Sequence, residues 1–134
     1  MYVESDLLFA LAKDTDWLKA DAKAAVDAEE VHTSIIAYTE YLQYFYDPDD
    51  AEYAVPVTTV IPNMLEKVPV RPAEHEQALL AAVAFINDHN LTPADAVHAG
   101  IAHTEGEPVL STEQDYDSVG VERVDLEGYA DREE

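Results

Sequence analysis

The sequence predicts an α/β fold in which helices cover a mostly parallel sheet. Short β-branched segments alternate with longer segments of helical periodicity along the whole chain. The length of 134 residues fits one domain with a sizeable core. A hydrophobic fraction of 48% argues against disorder, although the formal net charge is −22. We therefore expect a single domain over residues 1–134.

The amino-terminal part predicts one strand and two helices. The strand is "MYVES", in which apolar and polar residues alternate, and Asp6 falls at its carboxyl end. The first helix is "DLLFALA" and the second is "DTDWLKADAKAAVDA", for which Asp14 or Thr15 is the expected N-cap. The apolar stripe of the second helix comprises Trp17, Leu18, Ala22, Ala25 and Val26.

The middle of the chain predicts a short strand, a helix and a segment interrupted by prolines. The strand is "VHTSI", and the helix "SIIAYTEYLQYFY" has Ser34 as its cap and Glu40 near its second turn. Pro56 and Pro62 should kink or interrupt the helix that their flanks suggest. Another short strand is expected at residues 68–70.

The carboxyl-terminal part predicts two helices followed by two strands. The first helix, "RPAEHEQALLAAVAFINDH", is amphipathic. Its apolar side comprises Leu79, Leu80, Val83 and Ile86. The second, "LTPADAVHAGIAHTEG", has Thr92 as N-cap, Pro93 at the first helical position and Gly106 as a stop signal. The strands are "EPVLS" and "VERVDLE".

The charge composition excludes several function classes. The 29 acidic and 7 basic residues are spread over the chain, which indicates adaptation to a salty cytoplasm and a halophilic archaeal source. The same balance argues against nucleic-acid binding through a broad basic face. The absence of cysteine excludes disulfides and thiol catalysis. The amino terminus lacks the basic start and apolar run of a signal peptide, so we expect a cytoplasmic protein.

Acidic residues follow the predicted strands or open the predicted helices. Asp6 ends the first strand, Glu113 and Asp115 follow "PVLS", and Glu40 and Asp95 lie near the starts of helices. Ligand sites in open α/β sheets lie beyond the carboxyl ends of the strands, so these acids can converge. Taken alone, Asp95 is more often a capping acid and Glu40 a surface residue, whereas Asp6 interrupts an otherwise apolar run. Their joint placement, without cysteine, favours a site for Mg²⁺ or Mn²⁺.

An ordered set of motifs supports this hypothesis. The set is "YVESDLLFALA", "TSIIAYTEYL", "LTPADAVHAGIA" and "VLSTEQDYDSVGVERVD", and it spans essentially the full chain. In this order the chain resembles PIN domains, most closely the compact VapC-type toxin ribonucleases. The resemblance implies a three-layer α/β/α sandwich with a central, mostly parallel sheet. It also implies an Mg²⁺-dependent endoribonuclease that hydrolyses RNA phosphodiester bonds.

The resemblance also implies a set of site residues. The first three acids of the family fall on Asp6, Glu40 and Asp95. The late motif of the family places Ser111 beside the site and leaves either Glu113 or Asp115 as the fourth metal ligand. His98, one turn after the third acid, is expected to pack or to donate a hydrogen bond behind the ligands.

The same resemblance implies partners and leaves rival hypotheses open. An RNA substrate, an antitoxin protein that covers the cleft, and a homodimer are expected. An exposed Tyr41 or Tyr44 would serve a protein interface more readily than base stacking. One rival hypothesis is a PIN-like module that has lost catalysis and only binds. The other is a different metal-dependent phosphoester hydrolase.

Overall fold

The structure is a computed structural model that describes residues 1–12, 16–72 and 75–132. Its strands are β1 (Tyr2–Val3), β2 (Tyr46–Asp47), β3 (Glu52–Tyr53), β4 (Val109–Ser111) and β5 (Arg123–Asp125). Its helices are α1 (Ser5–Ala12), α2 (Lys19–Ala28), α3 (Ile35–Phe45), α4 (Val57–Lys67), α5 (His75–His89), α6 (Pro93–Glu105) and α7 (Tyr129–Arg132), and a 3-10 helix spans Gln114–Val119. None of the helices in these described ranges has both the length and the apolar character that crossing a membrane requires.

The central sheet is parallel. Its strands lie in the order β1, β4, β5, and Val3 pairs with Leu110, which in turn pairs with Val124. Single parallel bridges, from Tyr2 to His32 and from Thr33 to Val70, continue the pairing beyond β1. These bridges lie in the segments that were expected to be strands at 31–35 and 68–70, where the structure has no named strand. The predicted α/β fold with a parallel sheet between helices is confirmed.

The two faces of the sheet carry separate hydrophobic cores. Tyr2 and Val109 point to the core formed with α5 and α6, whereas Val3 and Leu110 point to the core formed with α1, α2, α3 and α7. Neighbouring residues of a strand face opposite sides, so β1 and β4 each contribute to both cores. The result is a three-layer arrangement in which helices cover both faces of the central sheet.

Helix α5 packs with the face opposite to the predicted one. Leu79, Leu80, Val83 and Ile86 are 58%, 72%, 55% and 38% exposed, and the buried positions are Ala78 and Ala82. The neighbouring α6 approaches so closely that a Cβ on Gly100 would lie 2.3 Å from the carbonyl oxygen of Ala78. Only small residues fit such a contact, so the large side chains remain outside.

Helix α2 begins later than the sequence suggests. Trp17 is 69% exposed and precedes the helix, so its assignment to the apolar stripe was wrong. Leu18 is buried, and its backbone N–H donates to the Asp16 carboxylate at 2.9 Å. The expected caps Asp14 and Thr15 lie outside the described residues.

The proline-containing segment forms a hairpin and a helix. Strands β2 and β3 pair as an antiparallel hairpin that the sequence did not indicate. Pro56 occupies the N-cap of α4, where its missing N–H costs nothing, and Pro62 lies inside the helix on its exposed side. The predicted interruption at Pro62 was therefore wrong.

Candidate active site

The carboxyl ends of the parallel strands meet at one edge of the sheet. Strand β1 ends at Val3, so Glu4 follows it directly and α1 begins at the next residue. The alternating pattern of "MYVES" suggested a longer strand ending near Asp6, but Asp6 lies in the first turn of α1. Ser111 ends β4 at the same edge. Glu4 thus occupies the position beyond β1 that was expected for Asp6.

Glu4 and Asp6 form a buried carboxyl pair held by hydroxyl groups. The Ser111 hydroxyl lies 3.0 Å from Glu4 Oε1 and 3.2 Å from Asp6 Oδ2, and its single hydrogen serves one of them at a time. The Tyr116 hydroxyl donates to Glu4 Oε2. Asp6 Oδ2 also accepts from the backbone N–H and the hydroxyl of Thr112, at 2.9 and 3.1 Å.

Burial alters the protonation of this pair. It raises the pKa of Glu4 to about 9, and the charge of Asp6 adds to the shift. Burial also raises the pKa of Asp6, whereas the hydrogen bonds that Asp6 accepts from Thr112 lower it. Two adjacent carboxylates out of water repel each other, so without a cation Glu4 holds a proton at neutral pH.

Three further carboxylates converge beside this pair. One carboxylate oxygen each of Asp95, Glu113 and Asp115 lies within 4.8 Å of the other two. Asp95 belongs to the first turn of α6, after the Thr92 N-cap and Pro93 that the sequence predicted. Glu113 caps the 3-10 helix and accepts from the Asp115 backbone N–H at 3.2 Å. Burial and the neighbouring negative charges raise the pKa of Glu113.

The buried pair and the three converging acids form one electrostatic unit. The charge of Asp95 contributes to the raised pKa of Glu4. The pKa of the Tyr116 hydroxyl is raised above its usual range, first by burial and then by the charge of Glu4, with smaller contributions from Asp95 and Asp6. Tyr116 therefore keeps its hydrogen and remains a donor to the site.

Glu40 takes a different place from the other predicted acids. It extends from α3, and its Oε1 lies 2.5 Å from Nε2 of His98. The group of three mutually close carboxylates found among the described residues does not include Glu40. His98, predicted to lie behind the ligands, is 1% exposed and connects Glu40 to α6, the helix that carries Asp95.

The sequence pattern missed three residues of this site: Glu4, Thr112 and Tyr116. The predicted strand extended too far at its carboxyl end, so Glu4 was predicted to be a strand residue. Ser5, a common helix-start residue, was the available signal for an earlier end of the strand. The hydroxyl donors Thr112 and Tyr116 have no sequence signal, because their role depends on the buried pair that they contact.

The site suits a hard divalent cation. Its donors are carboxylate oxygens, which Mg²⁺ and Mn²⁺ prefer. Oδ1 of Asp6 is buried and has no hydrogen-bond partner within the described part of the chain. A buried carboxylate oxygen without a donor is costly, and a cation would satisfy it.

Comparisons with known proteins agree with this architecture. A toxin–antitoxin complex from Klebsiella pneumoniae contains a chain of similar fold, with a TM-score of 0.68 and 14% identity over 93% of this chain and 96% of that one. The crystal structure of FitAcB from Neisseria gonorrhoeae gives a TM-score of 0.66 and 11% identity, again over 93% and 96%. No curated protein matches the sequence. The family model for the PIN domain matches residues 1–122, and the chain belongs to the PIN domain family.

Proposed function

We propose that this chain is a metal-dependent endoribonuclease and the toxin of a toxin–antitoxin pair, acting in the cytoplasm. The observation that supports the activity is the set of acids Asp95, Glu113 and Asp115 beside the buried pair Glu4 and Asp6. PIN domains are generally nucleases, and one protein of similar fold comes from a toxin–antitoxin complex. Mg²⁺ is the preferred ion of this proposal, with Mn²⁺ as a substitute.

Asp95, Glu113 and Asp115 would hold the ion, and Asp6 would contribute the oxygen that lacks a donor. When bound, the ion supplies positive charge that activates water and stabilises the charge developing on a phosphodiester. Glu40 would be a further acid of the active site. A comparison of Mg²⁺ affinity between Glu113→Gln and Asp115→Asn would show which of the two carboxylates contributes more to metal binding.

Neighbouring residues of the chain orient these carboxylates. Ser111 and Thr112 hold Asp6 through its Oδ2, which leaves Oδ1 available. Arg123 of β5 reaches the Ser111 carbonyl oxygen at 3.3 Å and the Asp117 carboxylate at 3.2 Å. Arg123 thereby links the sheet to the 3-10 helix that follows Glu113.

Metal-dependent cleavage is the test of this function. We expect the wild-type chain to cut a mixed RNA pool in molar potassium chloride with Mg²⁺, and to stop when the ion is chelated. High salt is used because it screens the net charge of −22. Cleavage that persists in excess chelator would contradict the proposal.

The same samples distinguish the rival hypotheses. An ion that binds the native chain raises its melting temperature in proportion to the logarithm of its concentration above Kd. Stabilisation by Mg²⁺ without any cleavage would favour the binding module. Hydrolysis of small phosphate esters without cleavage of RNA would favour another phosphoester hydrolase.

We propose that a basic segment of an antitoxin covers the surface beside α3. Tyr41 is buried, whereas Tyr44, one turn after Glu40, is 64% exposed. Tyr46 and Tyr53 are also exposed and lie with their ring centroids 5.1 Å apart on the acidic β2–β3 hairpin. Tyrosine rings next to carboxylates suit arginine or lysine side chains.

We propose that a second copy of the chain covers the exposed face of α5. Four large apolar side chains of this helix are exposed. Residues 77–86 carry no charge, although the chain as a whole has a net charge of −22. Two copies of so acidic a protein repel each other least through such a face.

Substituting glutamate for Leu80 is expected to convert the dimer into a monomer. Leu80 is 72% exposed, so the fold tolerates the change, and the new charge would face its own copy across the interface. Sedimentation equilibrium in molar potassium chloride measures the result. Trp17→Glu, at a position 69% exposed before α2, is the matched control and should remain dimeric. A Leu80→Glu variant that dimerises like the wild type would reject this interface.

A further inference from the structure

A buried chain of hydrogen bonds runs from β1 to Glu40. Tyr2 lies with its hydroxyl oxygen 2.9 Å from Ser34 Oγ and 2.6 Å from Nδ1 of His98. Nε2 of the same imidazole lies 2.5 Å from Glu40 Oε1. Tyr2 and His98 are each 1% exposed and Ser34 is 3% exposed, so water does not compete for these contacts.

The direction of the hydrogen bonds follows from the donors available. The Glu40 carboxylate can only accept, so Nε2 of His98 carries the hydrogen. In that tautomer Nδ1 carries no hydrogen and accepts from the Tyr2 hydroxyl. Burial raises the pKa of Tyr2, so this hydroxyl keeps its hydrogen. Ser34 donates to the Tyr2 oxygen, and each of the three contacts is satisfied by one hydrogen.

The contact between His98 and Glu40 joins a buried side chain to a partly exposed one. The His98 side chain is 1% exposed, whereas that of Glu40 is 29% exposed. Oε1 of Glu40 is thus fixed by its contact with His98, and Oε2 takes no part in this series of hydrogen bonds. His98 lies one turn after Asp95 on α6, so the contact also couples the acid of α3 to the helix of the converging acids.

We propose that Tyr2 and His98 are positioning residues that fix the carboxylate of Glu40 for metal binding by the active site. The inference rests on the proposed function. A histidine that only filled the core would not need a 2.5 Å contact to a partly exposed acid. A hydrogen bond donated from behind to a metal-binding acid holds the orientation of that acid.

Tyr2→Phe removes only the Tyr2 hydroxyl. It therefore tests the relay, which is the series of hydrogen bonds from Ser34 through Tyr2 and His98 to Glu40. Tyr38→Phe is a matched control, since Tyr38 is a buried tyrosine of α3 whose hydroxyl donates to the Val68 carbonyl oxygen at 2.7 Å, away from Glu40. His98→Leu removes the donor to Glu40, and His98→Gln restores an amide donor at the ε position.

Three measurements separate a positioning role from a structural one. In ¹⁵N spectra of the wild type, His98 should be protonated at Nε2 and should accept at Nδ1, and Tyr2→Phe should shift the Nδ1 resonance. Mn²⁺ affinity or kcat should fall about tenfold in Tyr2→Phe and up to about 100-fold in His98→Leu, with an unchanged KM for RNA. His98→Gln should recover part of this loss.

Each result decides the inference. Equal Mn²⁺ affinity and kcat in Tyr2→Phe and Tyr38→Phe, at equal loss of melting temperature, would overturn it. If the wild type binds Mn²⁺ but cuts no RNA, the proposed function fails, and the Mn²⁺ affinities of the variants still decide the relay. If the wild type binds no Mn²⁺ at all, the relay is rejected together with the metal site.

Discussion

Replacing Asp95 with asparagine is expected to abolish metal-dependent RNA cleavage and to leave the fold intact. Asp95 is the acid that connects the two groups of the site, because it converges with Glu113 and Asp115 and its charge also reaches Glu4. The amide keeps the shape but removes the negative charge that the ion requires. We expect a loss of more than about 100-fold in kcat and in Mn²⁺ affinity.

The stability of the metal-free variant should move in the opposite direction. Without an ion, Asp95 is repelled by the neighbouring carboxylates, so Asp95→Asn should raise the melting temperature of the metal-free protein. Thermal unfolding in chelator measures this effect, and Asp27→Asn, an exposed acid on α2, is the control. An Asp95→Asn variant that cuts RNA at the wild-type rate would remove this residue from the site.

Replacing Glu4 with glutamine is expected to flatten the pH dependence of stability. The pKa of Glu4 rises from 4.5 to about 9 on folding, so between these values the folded chain binds a proton that the unfolded chain has lost. The free energy of unfolding therefore falls as pH rises through this window, by about 1.4 kcal/mol per pH unit. Below the lower value both states are protonated and the penalty vanishes.

Glutamine at position 4 cannot ionise, so this contribution disappears. The variant should gain stability relative to the wild type as pH rises from about 5 to about 8. Urea unfolding in chelator at constant salt measures the difference. Glu66→Gln, an exposed acid of α4, should run parallel to the wild type. Parallel curves for Glu4→Gln as well would show that Glu4 is ionised in the folded chain.

Local signals in the sequence were sufficient for much of the fold. The α6 helix begins after Thr92 with Pro93 and ends at Gly106, whose φ of 68° suits glycine, as its capping pattern predicts. The parallel strands β4 and β5 follow from short apolar segments after that helix. The placement of Asp95, Glu113 and Asp115 at one edge follows from the parallel topology, since such strands end together.

Other features were decided only by contacts between distant parts of the chain. The apolar residues of α5 are exposed because α6 approaches through Gly100 and leaves room only for alanine at Ala78. The periodicity of apolar residues identifies an apolar side of a helix. It carries no information on how closely a neighbouring helix approaches.

The same limit applies to the site. Strand ends and helix starts are local signals, and they pointed to Asp95, Glu113 and Asp115 as acids near the carboxyl edge of the sheet. Only the tertiary structure decided that Glu4 is buried against Tyr116 and that Glu40 is held by His98. Protonation and side-chain orientation depend on burial and on partners 112 and 58 residues away along the chain, and these arise only when the layers pack.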